Sequence, residues 1–357
     1  MKNVSLEGLG RINLLVGENN TGKTSVLESL MMFCAPGVAR NWLRVLNARD
    51  VGLSDDNIGE VVSWLFPVIG RDSATEREEI LLAGITAGRS ESLRLKYQLE
   101  TEVIDQPVGR QRSYSDLPED EQRIRKLARV FAEWFSDADG AKTGDLMFGT
   151  AGRRVGPRFT PIISDSIKHI RAAPVEFVKP HAHRSGRMAL GALTNAVLAE
   201  QKEMLIGVLQ IFDQEITGVE MVEGPFEPTL VINHRKLGPM PLHAFGDGVR
   251  KAIAVTGLAM RARDGLLLID EAETALHAHA QDKFFLGLHK LCDELNVQIF
   301  MTTHSLDAVD AVLRASKNKQ AEVIAFHLSN EDGVRSVKRY AEDFLERIRF
   351  QRGIDIR

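Results

Sequence analysis

Residues Gly17-Glu18-Asn19-Asn20-Thr21-Gly22-Lys23-Thr24 follow the pattern G-x-x-x-x-G-K-[ST], and the text on either side decides how they read. Before them, Ile12, Leu14, Leu15 and Val16 read as a buried strand. After them, Ser25-Val26-Leu27-Glu28-Ser29-Leu30-Met31-Met32-Phe33 continues at helical spacing. A loop at that junction sits on a helix N-terminus, where free N–H groups and the positive end of the helix dipole favour an anion. The pattern predicts a loop that cradles a nucleoside triphosphate, lined by Asn19, Asn20, Thr21, Gly22, Lys23, Thr24 and Ser25. The two glycines let the backbone wrap the phosphates, Lys23 reaches the β- and γ-phosphates, and Thr24 offers its hydroxyl to Mg²⁺. An ordinary Gly/Asn-rich turn with an incidental lysine would leave both flanks unexplained.

A second apolar run, Gly265-Leu266-Leu267-Leu268-Ile269-Asp270-Glu271, ends in two acids. It has the composition of a strand buried on both faces, and functional groups of open α/β sheets gather at strand C-terminal ends. Asp270 is the expected Mg²⁺ ligand with Thr24, and Glu271 the expected group that orients or deprotonates an attacking water. Two exposed acids capping the next helix are the bland alternative. A third strand, Val297-Gln298-Ile299-Phe300-Met301-Thr302-Thr303-His304, follows one helix later, so His304 would stand beside the γ-phosphate.

Composition excludes several classes. The chain has 357 residues, 44% of them hydrophobic and 26% charged, as an ordinary globular chain has. Its two cysteines, Cys34 and Cys292, build neither a disulfide framework nor a thiolate metal site. No apolar run approaches the ~20 residues needed to span a bilayer, and the first apolar run belongs to the phosphate loop rather than to a leader. A cytoplasmic protein without membrane attachment is expected. The net charge of −4 gives no global attraction to nucleic acid. Locally, Arg153, Arg154, Arg158, Lys168, Arg171, Lys179, Arg184 and Arg187 face only Asp165 and Glu176, a basic stretch that would suit a DNA backbone, a solvated face or a subunit contact.

Along the chain, 79–85 and 93–99 read as antiparallel strands, 118–135 as a helix with Leu127, Val130, Phe131 and Trp134 on one face, and 137–158 as a Gly-rich loop. Val175–Val178 reads as a strand, 187–213 as helical and 217–234 as strand-like. From 246 to 329 helix and apolar strand alternate three times, which predicts a mostly parallel sheet covered by helices. A last strand, 322–328, and a helix, 340–350, follow. The expected fold class is therefore α/β, divided into a phosphate-loop and antiparallel β-lobe (1–105), a helical insert with strands (106–240) and a C-terminal lobe (241–357). Trp42, Trp64 and Trp134 are expected in the core. His181/His183 and His277/His279 lack the companions a zinc site needs.

With Phe245-Gly246-Asp247-Gly248-Val249-Arg250-Lys251, these motifs resemble the ABC-type ATPase superfamily, in its soluble branch holding SMC/Rad50, RecF and the OLD-type ATPases linked to phage defence. Asp270-Glu271-Ala272-Glu273-Thr274-Ala275-Leu276-His277 looks like that branch's D-E-P-E-x-x-L-H, with alanine for proline. The resemblance implies ATP and Mg²⁺ as ligands and a homodimer sandwiching two ATPs. Gly246, Asp247 and Gly248 would touch the partner's nucleotide, and Thr274–His277 would form the loop crossing the interface. Gly246 replaces the signature serine, so Arg250 or Lys251 would have to substitute and hydrolysis would be slow. The 53 residues after His304 are too few for the nuclease domain that OLD-type relatives carry. A separate nuclease or toxin effector is therefore expected, against the competing expectation of a RecF-like clamp on DNA.

Overall fold

Five residues with almost no exposed surface, Ile12–Val16, form strand β1. Helix α1 (Lys23–Cys34) follows directly after the phosphate loop. The computed structural model describes residues 4–47, 57–67, 79–104, 123–148, 161–170, 173–224, 227–317, 322–331 and 334–356. The chain divides into two compact units, Met32–Ala172 on one hand and Met1–Met31 with Ala173–Arg357 on the other.

In the unit Met32–Ala172, helices α2 (Ala39–Asn47) and α3 (Ile58–Ser63) precede an antiparallel sheet. Its strands lie side by side in chain order: β2 (Ile80–Thr86), β3 (Arg89–Ile104), β4 (Arg123–Ser136), β5 (Gly140–Phe148) and β6 (Ile162–Ile163). A short helix, α4 (Asp165–Lys168), closes the unit. The antiparallel lobe is as expected, but the helix expected over 118–135 is strand β4 where the structure describes it. Leu127, Val130, Phe131 and Trp134 fit one helix face, yet the same stretch also alternates. Ala128, Val130, Ala132 and Trp134 are buried, whereas Phe131 and Phe135 face outward. Long-range pairing decides between the two periods: Trp134 opposes Leu93, and Ala132 opposes Leu95. Likewise the described part of the loop expected over 137–158 is largely β5, paired with β4. Trp42 and Trp134 are core residues, in tilted contact with Phe148 and Phe33 at ring-centroid distances of 5.7 Å and 5.6 Å. Trp64 is not, being 42% exposed after α3 ends.

The other unit resumes with β7 (Val175–Val178), α5 (Gly186–Leu198) and α6 (Lys202–Phe212). A three-stranded antiparallel sheet of β8 (Ile216–Val222), β9 (Thr229–His234) and β10 (Gly238–Pro241) follows. Then come α7 (Asp247–Arg261), β11 (Leu266–Ile269), α8 (Ala278–Leu295), β12 (Gln298–Thr302), α9 (Leu306–Ser316) and β13 (Val323–Glu331). This is the alternation read from 246 onward. The six-stranded sheet runs β14-β13-β1-β12-β11-β7, where β14 (Val334–Ala341) is an antiparallel edge and every other pair is parallel. Thus the helix expected from Tyr340 starts later, as α10 (Glu342–Glu346), because Tyr340 pairs with Ala325.

Strand residues such as Leu14, Leu267 and Ile299 are fully buried, and α5, α7, α8 and α9 supply most of the remaining core. Gly257, in the middle of α7, marks where α5 crosses: a Cβ there would overlap Ala192. Glycine costs about 1 kcal/mol of helix propensity relative to alanine, so the close approach outweighs local preference here.

Candidate functional site

The phosphate loop owes its shape to two positive-φ glycines, Gly17 (φ 139°) and Gly22 (φ 97°), with Asn20 also left-handed (φ 63°). A side chain at Gly17 would run into the Leu328 carbonyl of β13. Thr21 Oγ1 donates to the Glu18 carbonyl at 2.9 Å, and the Val26 N–H closes the first α1 turn on Gly22 O at 3.1 Å. Asn19 and Asn20 are exposed, while Ser25 is half-buried and accepts Ser29 Oγ on its carbonyl. Lys23 lies under the loop and donates to the Gly17 and Glu18 carbonyls, both at 2.7 Å. An ammonium carries three protons, which leaves one for a phosphate oxygen. Burial pulls the Lys23 pKa below its ordinary value, opposed by the nearby Asp270, Glu273 and Glu271 carboxylates.

Parallel registry brings the acids to this loop. β12 lies between β1 and β11, with Leu14 and Ile269 both level with Met301. Thr24 Oγ1 donates to Asp270 at 3.1 Å from Oδ1 and 3.3 Å from Oδ2. Thr302 Oγ1 donates to the same Oδ1 at 2.6 Å and accepts the Glu271 N–H at 2.8 Å. Burial raises the Asp270 pKa, and the Thr302 and Thr24 hydroxyls oppose that rise. The donor set suits Mg²⁺, which takes one or two protein oxygens and leaves its other positions to phosphate and water. Among the described residues no three His, Cys, Asp or Glu side chains form a closed metal cage.

Beyond Asp270 the chain turns sharply. Glu271 (φ 47°) and Ala275 (φ 65°) are both left-handed without being glycine. The Glu271 carboxylate accepts Thr274 Oγ1 at 2.9 Å. Glu273 accepts the His304 N–H on Oε1 at 2.7 Å, and its buried Oε2 has no hydrogen-bond donor among the described residues. His304, half-buried directly after β12, thus joins the same cluster, and its charge acts on Asp270. Lys23, Thr24, Asp270, Glu271 and His304 all meet at the C-terminal ends of three neighbouring strands.

Gly246, Asp247 and Gly248 stand apart from that cluster, at the start of α7. Gly246 and Asp247 are exposed, and a Cβ on Gly246 would meet nothing within 4 Å. Arg250 pairs back to Asp247 at 3.0 Å. Lys251 cannot stand in for the missing serine, because it is fully buried and points inward. Lys251 lies one turn on from the exposed Asp247, but α7 is buried on every side from Lys251 to Met260, and the lysine packs against the 271–274 loop. In the basic stretch 150–190, Arg153, Arg154, Arg158 and Arg171 lie outside the described residues. Lys168 pairs with Asp165, and Arg184 and Arg187 are exposed.

The family model described as "AAA domain, putative AbiEii toxin, Type IV TA system" (AAA_21) matches residues 12–310. The chain belongs to this family. It is a P-loop ATPase. A Helicobacter pylori protein named "ATP/GTP phosphatase" is 23% identical to this AAA_21 member over 350 residues, 93% of this chain and 90% of its own. The uncharacterised Methanocaldococcus jannaschii protein MJECL11 is 30% identical over 114 residues, 31% of this chain and 98% of its own. Among solved structures, the SMC head domain from Thermotoga maritima aligns over 94% of this chain and 93% of its own, at 10% identity and a TM-score of 0.44. No helix among the described residues is long and apolar enough to cross a membrane.

The sequence gives no role to two members of this AAA_21 site, Thr302 and Glu273, and it assigns Thr274 and Lys251 other roles, in the interface-crossing loop and in place of the signature serine. Thr302 and Glu273 were inside quoted motifs, and a polar residue ending an otherwise apolar strand was a usable signal for the first. Nothing local marked Lys251, since a lysine in a helix is normally a solvated residue.

Proposed function

We propose that this ATPase binds Mg²⁺-ATP at the β1–β12–β11 strand ends, closes with a second copy around it, and reopens on hydrolysis to signal to a separate effector. The observation that carries the reading is the Thr24–Asp270 hydrogen bond, which joins two motifs distant in sequence at one point. In this reading Asn19 to Ser25 offer amides and side chains to the phosphates, and Lys23 keeps a proton for the γ-phosphate side. Thr24 and Asp270 hold the metal. When bound, Mg²⁺ neutralises charge developing on the phosphoryl oxygens. Glu271, anchored by Thr274, orients or deprotonates the attacking water, and His304 meets the γ-phosphate side. The unpaired Glu273 Oε2 supports a site built for polar ligands, since a buried acceptor without a donor is costly.

The dimer is supported by the start of α7, where Gly246 and Asp247 are exposed, a Cβ on Gly246 would meet nothing within 4 Å, and a helix N-terminus offers free N–H donors to an anion. The effector is a nuclease or toxin of phage defence. The family's description supports a place in a toxin–antitoxin system, and the separate effector is this reading's own addition. The work is cytoplasmic in this reading, where ATP and Mg²⁺ abound.

Glu271→Gln tests the whole scheme. With ATP and Mg²⁺ the variant should bind nucleotide, turn it over at least about 100-fold more slowly, and double its mass by light scattering. Normal turnover would remove Glu271 from its role. Nucleotide binding without any gain in mass would remove the dimer.

A further inference from the structure

Among the described residues Lys251 is the largest charged side chain hidden completely, and its ammonium turns to the backbone of the 271–274 loop. It leaves α7 one turn after the exposed Asp247 and meets the backbone that carries Glu271. Its Nζ donates to Ala272 O at 2.7 Å and Thr274 O at 2.9 Å, with Glu271 O at 3.4 Å. Three carbonyls therefore converge on a group that has three protons to give. Phe284 of α8 closes the other side, its ring centroid 5.3 Å from Nζ.

The loop needs such a hold. Glu271 and Ala275 occupy the left-handed region, at a cost on the order of 1–3 kcal/mol each, and persist only where surrounding contacts over-determine them. The Thr302 hydroxyl fixes the Glu271 N–H, and Lys251 fixes the carbonyl side of the same turn. Burying an ammonium is expensive unless it is fully hydrogen-bonded, and the three loop carbonyls supply those bonds. Burial brings its pKa down to about 8, against the pull of Glu273 and Glu271, so it keeps its charge near neutrality.

We propose that Lys251 is a positioning residue: it ties α7 to the Glu271–Thr274 loop, so that the set of the α7 first turn fixes where the Glu271 carboxylate stands. A displacement of that first turn is passed down one helical turn to a side chain hydrogen-bonded to three loop carbonyls. The loop cannot slip relative to α7 without breaking all three. Engagement of the exposed first turn by a second copy is thereby converted into alignment of the acid that activates water. This inference rests on the role proposed for Glu271 and extends it to a residue that touches neither nucleotide nor metal.

The test is Lys251→Met in the full chain, which keeps the length of the side chain and removes its donors. It is measured beside Glu271→Gln, with a fluorescent ATP analogue for affinity and phosphate release for turnover. The expected result is nucleotide affinity within about twofold of wild type, kcat lowered at least about 30-fold, and partial recovery of kcat in Lys251→Arg. If Lys251→Met does not fold, Lys251→Gln carries the same comparison. A kcat within twofold of wild type, or a kcat that falls only in step with affinity, overturns the proposal. If Glu271→Gln is inactive while Lys251→Met is fully active, only Lys251's role fails. If Glu271→Gln is active, the reading of Glu271 fails.

Discussion

Thr302 donates its hydroxyl to Asp270 Oδ1 at 2.6 Å and with the same oxygen accepts the Glu271 N–H at 2.8 Å. One side chain at the end of β12 thus sets both acids of β11. It holds the Asp270 carboxylate toward Thr24 and pins the backbone of Glu271 at its left-handed turn.

Thr302→Val keeps the shape of β12 and deletes that bridge. The Glu271 N–H then lacks its acceptor and Asp270 Oδ1 keeps only the Thr24 hydroxyl, which costs about 1–3 kcal/mol of stability. ATP turnover should fall by an order of magnitude or more. A denaturant midpoint and a kcat both equal to wild type would contradict the bridge.

Lys23→Ala removes the ammonium that the loop carbonyls aim. Charge-assisted contacts to phosphate are among the stronger hydrogen bonds, so triphosphate affinity should drop about 10- to 100-fold. Isothermal titration with ATP and Mg²⁺ measures it. Unchanged affinity would contradict the phosphate-loop assignment.

Asp270→Asn should abolish Mg²⁺-dependent turnover yet raise the melting temperature of the nucleotide-free protein by roughly a few degrees. The sign follows from the raised Asp270 pKa, whose first cause is burial of the charged form. A folded-state pKa above the unfolded value means that ionising Asp270 costs stability. That cost is absent below the ordinary carboxylate range, grows as pH rises through the raised value, and persists at neutrality. A melting temperature for Asp270→Asn well below wild type at pH 7.5 would reverse the argument.

Gly257→Val tests the α5–α7 crossing, where even a Cβ overlaps Ala192. Overpacking of this kind costs about 1–3 kcal/mol or more, despite valine's better helix propensity. Thermal unfolding decides it, and a stability at or above wild type would show that the helices part without cost.

The chemistry of the site was largely legible because its parts are local. A strand, a glycine-bearing loop and a helix start fit within residues 12–33, and the acid-tipped and His-tipped strands each declare themselves within eight residues. The alternation after 246 likewise announced a parallel sheet, since strands buried on both faces are apolar throughout. The stretch ending in Trp134 was misread as a helix because its apolar spacing satisfies both periods, and only its partner Leu93 breaks the tie. Strand β14 escaped notice because it is a polar edge whose identity lies in its pairing with β13.

What the sequence determined by itself is the set of groups gathered in the candidate site, because the backbone shape and the charge suited to a phosphate are properties of consecutive residues. What only the tertiary structure decided is how those groups are held. Lys251 and Thr302 act on carbonyls and amides far along the chain, and such partners are chosen by the packing of α7 and β12 against the 271–274 loop, not by any neighbour in sequence.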